Sequence, residues 1–150
     1  MFKDVVEDLV RDEGLRLKPY TCTAGKHTIG IGRNYEDNPF TLKELTELLS
    51  ESGITERMAK KLLLNDLDNT HKKLLAIFPA FEEYPENVQR VLMNMHFNLG
   101  DAGFRSLTTL LAGVKGKRWK YCAERMRAFK WAKQVGARAE RLAKLMESEG

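Results

Sequence analysis

Three side chains near the amino terminus have types and spacing suited to proton chemistry: Glu13, Cys22 nine residues on, and Thr28 six after that. Val5, Val6, Leu9 and Val10 repeat at helical spacing, so residues 2–12 read as a helix that Gly14 stops. Glu13 then sits at the carboxyl end of that helix, where partial negative charge disfavours an ionised carboxylate. Partial burial would act in the same direction. Both favour the protonated form that a general acid needs near neutral pH. A solvated surface glutamate is the ordinary alternative, and position alone leaves it open. Cys22 lies in a loop, "TCTAGK", with no apolar face to account for it. Cys122 differs: with Trp119, Met126 and Phe129 it follows helical spacing on one face and reads as a small buried side chain. Two cysteines make no disulfide framework, and a reducing compartment would keep them as thiols.

The elements that must position these groups follow from the pattern. "LRLKPY" and "HTIGIGRN", with Leu15 alternating with Leu17 and Ile29 with Ile31, predict a hairpin joined by "TCTAGK", with room for a short third strand after it. Gly30 and Gly32 alternate within the second segment, so one continuous strand would point both to the same face. A face stripped of side chains suggests either a floor for a long polymer or a bulged strand packed on a helix. "NYEDNPF" reads as loop, Thr41 as the cap of a short helix over 42–50, and Ser52-Gly53 as its end. Thr55 caps a long helix striped by Met58, Leu62, Leu63, Leu67, Leu74 and Leu75. Pro79 and Pro85 bracket a turn. Helices then follow from Asn87 to a stop at Gly100, and over 104–112, 117–130 and 136–146. The organisation is one domain: a small β-containing lobe at 13–54, a connecting helix at 55–78, and a helical lobe from 1–12 and 79–150. The cleft between two such lobes is a natural ligand site.

At 43% apolar and 31% charged residues, the 150-residue chain fits a globular protein. No apolar run approaches the ~20 residues of a membrane helix. The amino terminus mixes acids with its apolar residues, unlike a secretory signal, which implies a cytoplasmic store. Charge is uneven: residues 1–100 hold 13 Lys/Arg against 16 Asp/Glu, and residues 101–150 hold 12 against 5. The basic second half suits a polyanion, either nucleic acid or a bacterial envelope, or is a solvated face with no partner. The three histidines lack companions at metal spacing, and no phosphate loop or serine-nucleophile motif stands out, so no metal or cofactor is expected. Trp119 and Trp131 read as core anchors.

The block "DEGLRLKPY…GKHTIGIG" resembles the signature of the phage-type lysozymes, glycoside hydrolase family 24. "LLNDLD", "NMHFNLG", "GF" at 103–104, "KRW" at 117–119 and the run from Trp131 to Leu142 follow in that family's order, so the resemblance covers nearly the whole chain. It implies an α+β, mostly helical, lysozyme-like fold of two lobes: a small antiparallel β lobe, a long connecting helix and a carboxyl-terminal helical lobe. The family pattern is Glu, eight residues, Asp or Cys, five residues, Thr, which Glu13, Cys22 and Thr28 fit without a gap. The resemblance makes Glu13 the general acid and gives Thr28 a part in holding the attacking water. Position 22 is most often aspartate in the family. A thiol of ordinary pKa, ~8.5, is mostly neutral at pH 7, so Cys22 could serve as thiolate base, neutral water-orienter or nucleophile. The first two agree better with the single displacement and inversion that the resemblance implies. Lys18 and Lys26 are candidates to lower its pKa.

By the same resemblance, Arg138 pairs with the catalytic glutamate, Arg33 and Asp66 link hairpin and long helix, and Gly30, Phe97, Asn98 and Phe104 contact substrate; Phe97 and Phe104 are equally candidates for the core. The implied activity is hydrolysis of the β-1,4 bond between N-acetylmuramic acid and N-acetylglucosamine in peptidoglycan. The implied protein is a monomeric endolysin of a phage or prophage. It would accumulate in the bacterial cytoplasm and reach the wall through a holin. Two readings from other classes stand beside it: a wall-binding module in which Cys22 is the lesion, and a basic helical nucleic-acid-binding domain. The second accounts for the basic half but for neither the hairpin nor the Glu13 spacing.

Overall fold

A computed structural model describes residues 2–50 and 53–150. Among them are eight α-helices and one three-stranded antiparallel sheet, an α+β fold dominated by helix. The chain divides into two compact units, Met1–Asp68 and Asn69–Gly150, and the long helix α3 (Glu56–Ile77) crosses the boundary.

The first unit begins with α1 (Lys3–Glu13), which buries Val5 and Leu9 as its periodicity predicts, and Asp8 beside them. Gly14 closes it, its N–H donating to the Val10 carbonyl at 3.0 Å. The sheet follows in the order β1 (Arg16–Thr21), β2 (His27–Gly30), β3 (Arg33–Asn34). Between β1 and β2 the Cys22 N–H donates to the Lys26 carbonyl and the Gly25 N–H to the Cys22 carbonyl, both at 2.9 Å. Gly25 takes a φ of 79°, which makes this a three-residue hairpin turn with a glycine bulge.

The expectation of one strand carrying two glycines on one face is corrected here. β2 ends at Gly30 and β3 begins at Arg33. Gly30 and Gly32 have φ of 70° and 68°, a region side chains rarely occupy, so they reverse the chain instead of lining a surface. The reversal lays β3 back on β2, with Ile29 opposite Arg33 and Thr28 opposite Asn34.

Arg33 then fixes the sheet to two helices. Its side chain is 3% exposed and donates to Glu44 Oε1 at 2.8 Å, to Asp66 Oδ1 at 2.9 Å and to the carbonyl of Asn38 at 2.8 Å. Glu44 belongs to α2 (Leu42–Ser50) and also closes a capping box: the Thr41 N–H donates to Glu44 Oε1 at 2.9 Å and the Glu44 N–H to Thr41 Oγ1 at 3.1 Å. The pairing of Arg33 with Asp66 is as the resemblance implies; the share taken by Glu44 is not foreseen by it. Ser52, part of the predicted end of α2, lies outside the described residues; Gly53 donates to the Leu48 carbonyl at 2.7 Å. Thr55 caps α3 through the Met58 N–H at 3.1 Å. Met58, Leu62, Leu63 and Leu67 of its stripe are buried in this unit.

The second unit holds the end of α3, a 3-10 turn (Phe81–Glu83), α4 (Glu86–Arg105), α5 (Thr108–Lys115), α6 (Trp119–Ala128), α7 (Lys130–Val135) and α8 (Ala137–Glu147). Gly100 interrupts α4 at φ 75° and ψ 168°, so the predicted stop there holds, but a further turn carries Phe104 before α5 begins. The helix predicted over 117–130 is two helices, because Phe129 is extended. The core is aromatic: Phe78 meets Tyr84 and Phe104 edge-on, and Tyr84 meets Trp119 at 5.5 Å between ring centres. Cys122 packs in it, fully buried, opposite Gly113, where a methyl group would lie 2.8 Å from the sulfur. Among the described residues, no helix is long and apolar enough to cross a membrane.

Candidate active site

The first unit brings the three predicted residues around one hairpin. Glu13 is the last residue of α1, Cys22 opens the β1–β2 turn, and Thr28 lies on β2, 2% exposed. Thr28 is paired across the ladder with Tyr20, so those two side chains share a face. Burial raises the pKa of the Tyr20 hydroxyl, and the charges of Glu13 and then Cys22 raise it further, against the pull of Arg16. The Tyr20 hydroxyl thus lies within electrostatic reach of both the carboxyl and the thiol. The Arg16 guanidinium covers the Tyr20 ring at 4.4 Å.

Glu13 also borders the reversal. A methyl group built on Gly32 would lie 3.0 Å from Glu13 Cγ, 3.1 Å from Cδ and 3.1 Å from Oε2. The carboxyl therefore rests against the bare Cα of Gly32. Gly30 has no such neighbour among charged groups; it is buried against Ala59 of α3, at ordinary contact distance. Nothing in that placement leaves Gly30 open to a ligand.

Cys22 is part-exposed and its thiol is more acidic than usual. Slight burial pushes the other way, but hydrogen bonds from the Lys26 amide, the Thr28 hydroxyl and the amides of Ala24 and Cys22 outweigh it. These are the donors a tight turn exposes on its inner side, and they stabilise the thiolate. The expected help from the lysine ammonium groups is replaced by these dipoles, and Lys26 Nζ instead lies 3.5 Å from Asp37. The Thr28 hydroxyl donates to the Lys26 carbonyl at 3.0 Å and is also the hydrogen-bond partner of the sulfur. With its proton on that carbonyl the hydroxyl can accept from the thiol; to donate to a thiolate it must turn away from Lys26, since it has one proton to give.

The remaining predicted residues lie in the second unit. Arg138 is 8% exposed and donates through Nε to Asn94 Oδ1 at 3.0 Å. Asn98 accepts from the Trp131 indole at 2.7 Å. Phe97 is half-buried on α4. Phe104 is fully buried between Phe78 and His96, the core position of its two readings. His96 bonds Asp101 at 2.9 Å across the Gly100 break, and burial keeps it neutral to lower pH than usual. Sequence reading missed Tyr20, although its spacing of two from Cys22 on an extended segment was a usable signal. It missed Glu44 as well, although Thr-x-x-Glu is the spacing of a capping box.

Residues 10–148 match the phage lysozyme family. Over 152 residues the chain is 29% identical to the pre-baseplate central spike protein Gp5 of Enterobacteria phage T4, covering 92% of this chain and 26% of that protein. It thus spans about a quarter of the spike protein's length. It is 22% and 26% identical to two probable T4-type lysozymes of Dictyostelium discoideum, each alignment covering 99% of this chain and 96% of the relative.

Proposed function

The chain belongs to the phage lysozyme family, and from that premise we propose that it is a muramidase cleaving the β-1,4 bond between N-acetylmuramic acid and N-acetylglucosamine in peptidoglycan. The observation that carries the proposal is the grouping of Glu13, Cys22 and Thr28 around one hairpin, with a thiol acidified by turn amides. Glu13 gives its proton to the glycosidic oxygen as the bond to the anomeric carbon breaks. A water held by Thr28 and Cys22 attacks that carbon from the opposite face, and the thiolate takes the water's proton. The anomeric configuration inverts. Solvent then returns Glu13 to its acid form and Cys22 to its thiolate.

The acidified thiol supports the base role, because a group that is anionic nearer neutral pH can receive that proton. The basic residues of the second half favour approach to an anionic wall. We place the protein as a monomer in the bacterial cytoplasm, released to the wall by a holin. The test is chemical. Purified peptidoglycan is digested and the new reducing end is identified. Muramic acid there, with an inverted anomer in the first product, is the expected result; glucosamine or a new free amine sinks the proposal.

A further inference from the structure

Three features compete for a role beyond those already given. Leu42, Leu45 and Leu49 form an exposed stripe on α2, but nothing adjoins it that identifies an occupant. Lys115, Lys117, Arg118 and Lys120 form an exposed basic run before and into α6, and nothing adjoins it that identifies a ligand. The contact of Gly32 with Glu13 is different, because its geometry fixes what the residue does.

We infer that Gly32 is a positioning residue: its bare Cα is the wall that sets where the Glu13 carboxyl sits. This rests on the reading of Glu13 as the acid. The spacing of the chain at Gly32 meets two separate demands. Its φ of 68° disfavours a side chain on backbone grounds alone. The 3.0–3.1 Å separations to Glu13 Cγ, Cδ and Oε2 disfavour one on contact grounds. Real Cβ atoms rarely come so close, so a methyl group here shifts one of the two partners. The partner at the far end is a carboxyl on rotatable bonds, and it is what gives way. A reacting group displaced by about 1 Å loses on the order of 100-fold in rate. Gly30 makes the contrast: it has the same positive φ, but its nearest neighbour is a methyl group of Ala59 at 3.5 Å. Of the two glycines flanking Ile31, one serves the backbone only and the other also serves the carboxyl.

The experiment is a kinetic and thermal comparison of Gly32→Ala with its parent on a soluble peptidoglycan fragment. The expected result is a fall in kcat of ~100-fold with KM within about twofold, since the binding surface is untouched while the proton donor is moved. Gly136→Ala controls for backbone strain: Gly136 has φ 58° and nothing within 4 Å of an added methyl, so it costs stability without changing kcat. A double-variant cycle with Glu13→Ala isolates the contact. The drop in Tm caused by Gly32→Ala should shrink once Glu13 lacks its Cγ and carboxyl. If Gly32→Ala does not fold, Gly32→Asn replaces it, asparagine being among the side chains most tolerant of positive φ. A folded Gly32 variant with kcat within threefold of the parent, or a Tm drop unchanged by Glu13→Ala, overturns the inference. Parent-level activity of Glu13→Gln would instead overturn the assignment of the acid, so the two failures are told apart.

Discussion

At the scale of single residues, the chemistry turns on which groups hold protons. Glu13→Gln keeps the shape of the side chain and removes its proton-donating ability, so turnover should fall by two to four orders of magnitude with little change in Tm. Turbidity loss of a wall suspension measures it. Cys22→Asp supplies a base that is anionic without help and should retain activity, whereas Cys22→Ser should be nearly inactive because a hydroxyl does not ionise in this range. Thr28→Val removes one of the donors that acidify the thiol, so the midpoint of the Cys22 titration, followed by thiolate absorbance, should move to higher pH. A thiolate base loses activity as pH falls through its pKa, so that variant's acid limb should move up by the same amount. The three candidate residues came from the spacing shared with the family, because a glutamate or a threonine is ordinary by type and position alone left Glu13 open. What lowers the thiol's pKa was not legible in the sequence, since backbone amides carry no sequence identity and only the turn geometry aims them.

At the scale of elements, the small sheet is held by one guanidinium shared between two carboxylates. Burial raises Glu44, but hydrogen bonds from Arg33, the Thr41 amide and Asn65, with the charge of Arg33, hold it at about 2. Asp66 receives less, and its burial raises it to about 6. The signs are opposite. Glu44 contributes stability that is full above 4.5 and lost as pH falls toward 2. Asp66 costs stability as pH rises from 3.8 through 6, on the order of 3 kcal/mol at most. Asp66→Asn keeps an acceptor for Arg33 and Asn38, so it should leave Tm at pH 7 unchanged or higher and remove the loss between pH 4 and 6. Glu44→Gln should lower Tm at pH 7 and abolish the acid limb below 4.5, because Arg33 is left with the poorer partner. Thermal melts across pH separate the two. The strands themselves were legible as a hairpin, but the break at Gly30–Gly32 was not. Period-two alternation looks the same whether the chain runs straight or reverses, and only φ decides.

At the scale of the whole molecule, the uneven charge is the property that composition already displays. Twelve Lys/Arg against five Asp/Glu over residues 101–150 should make wall association salt-sensitive. Raising ionic strength from low to physiological values and beyond should slow lysis of intact walls while leaving hydrolysis of a short neutral oligosaccharide nearly unchanged. Equal salt dependence for both substrates would remove electrostatics from the account. The helices of the second unit were largely legible because their apolar periodicity is long. Their joints were displaced by a few residues, because the kink at Gly100 and the extended Phe129 depend on φ and ψ choices that apolar spacing does not encode.

The two sulfur atoms live in opposite surroundings, and this makes the native protein a self-addressed substrate for conjugation. Cys122 is sealed in the core with its thiol pushed up to about 11, whereas Cys22 is part-exposed and acidified. A maleimide dye added to the folded protein should therefore couple once, at the hairpin, and a second time only after denaturant is added. Mass spectrometry counts the adducts. Because the adduct consumes the thiol proposed as the base, labelling should inactivate the protein without any engineered handle.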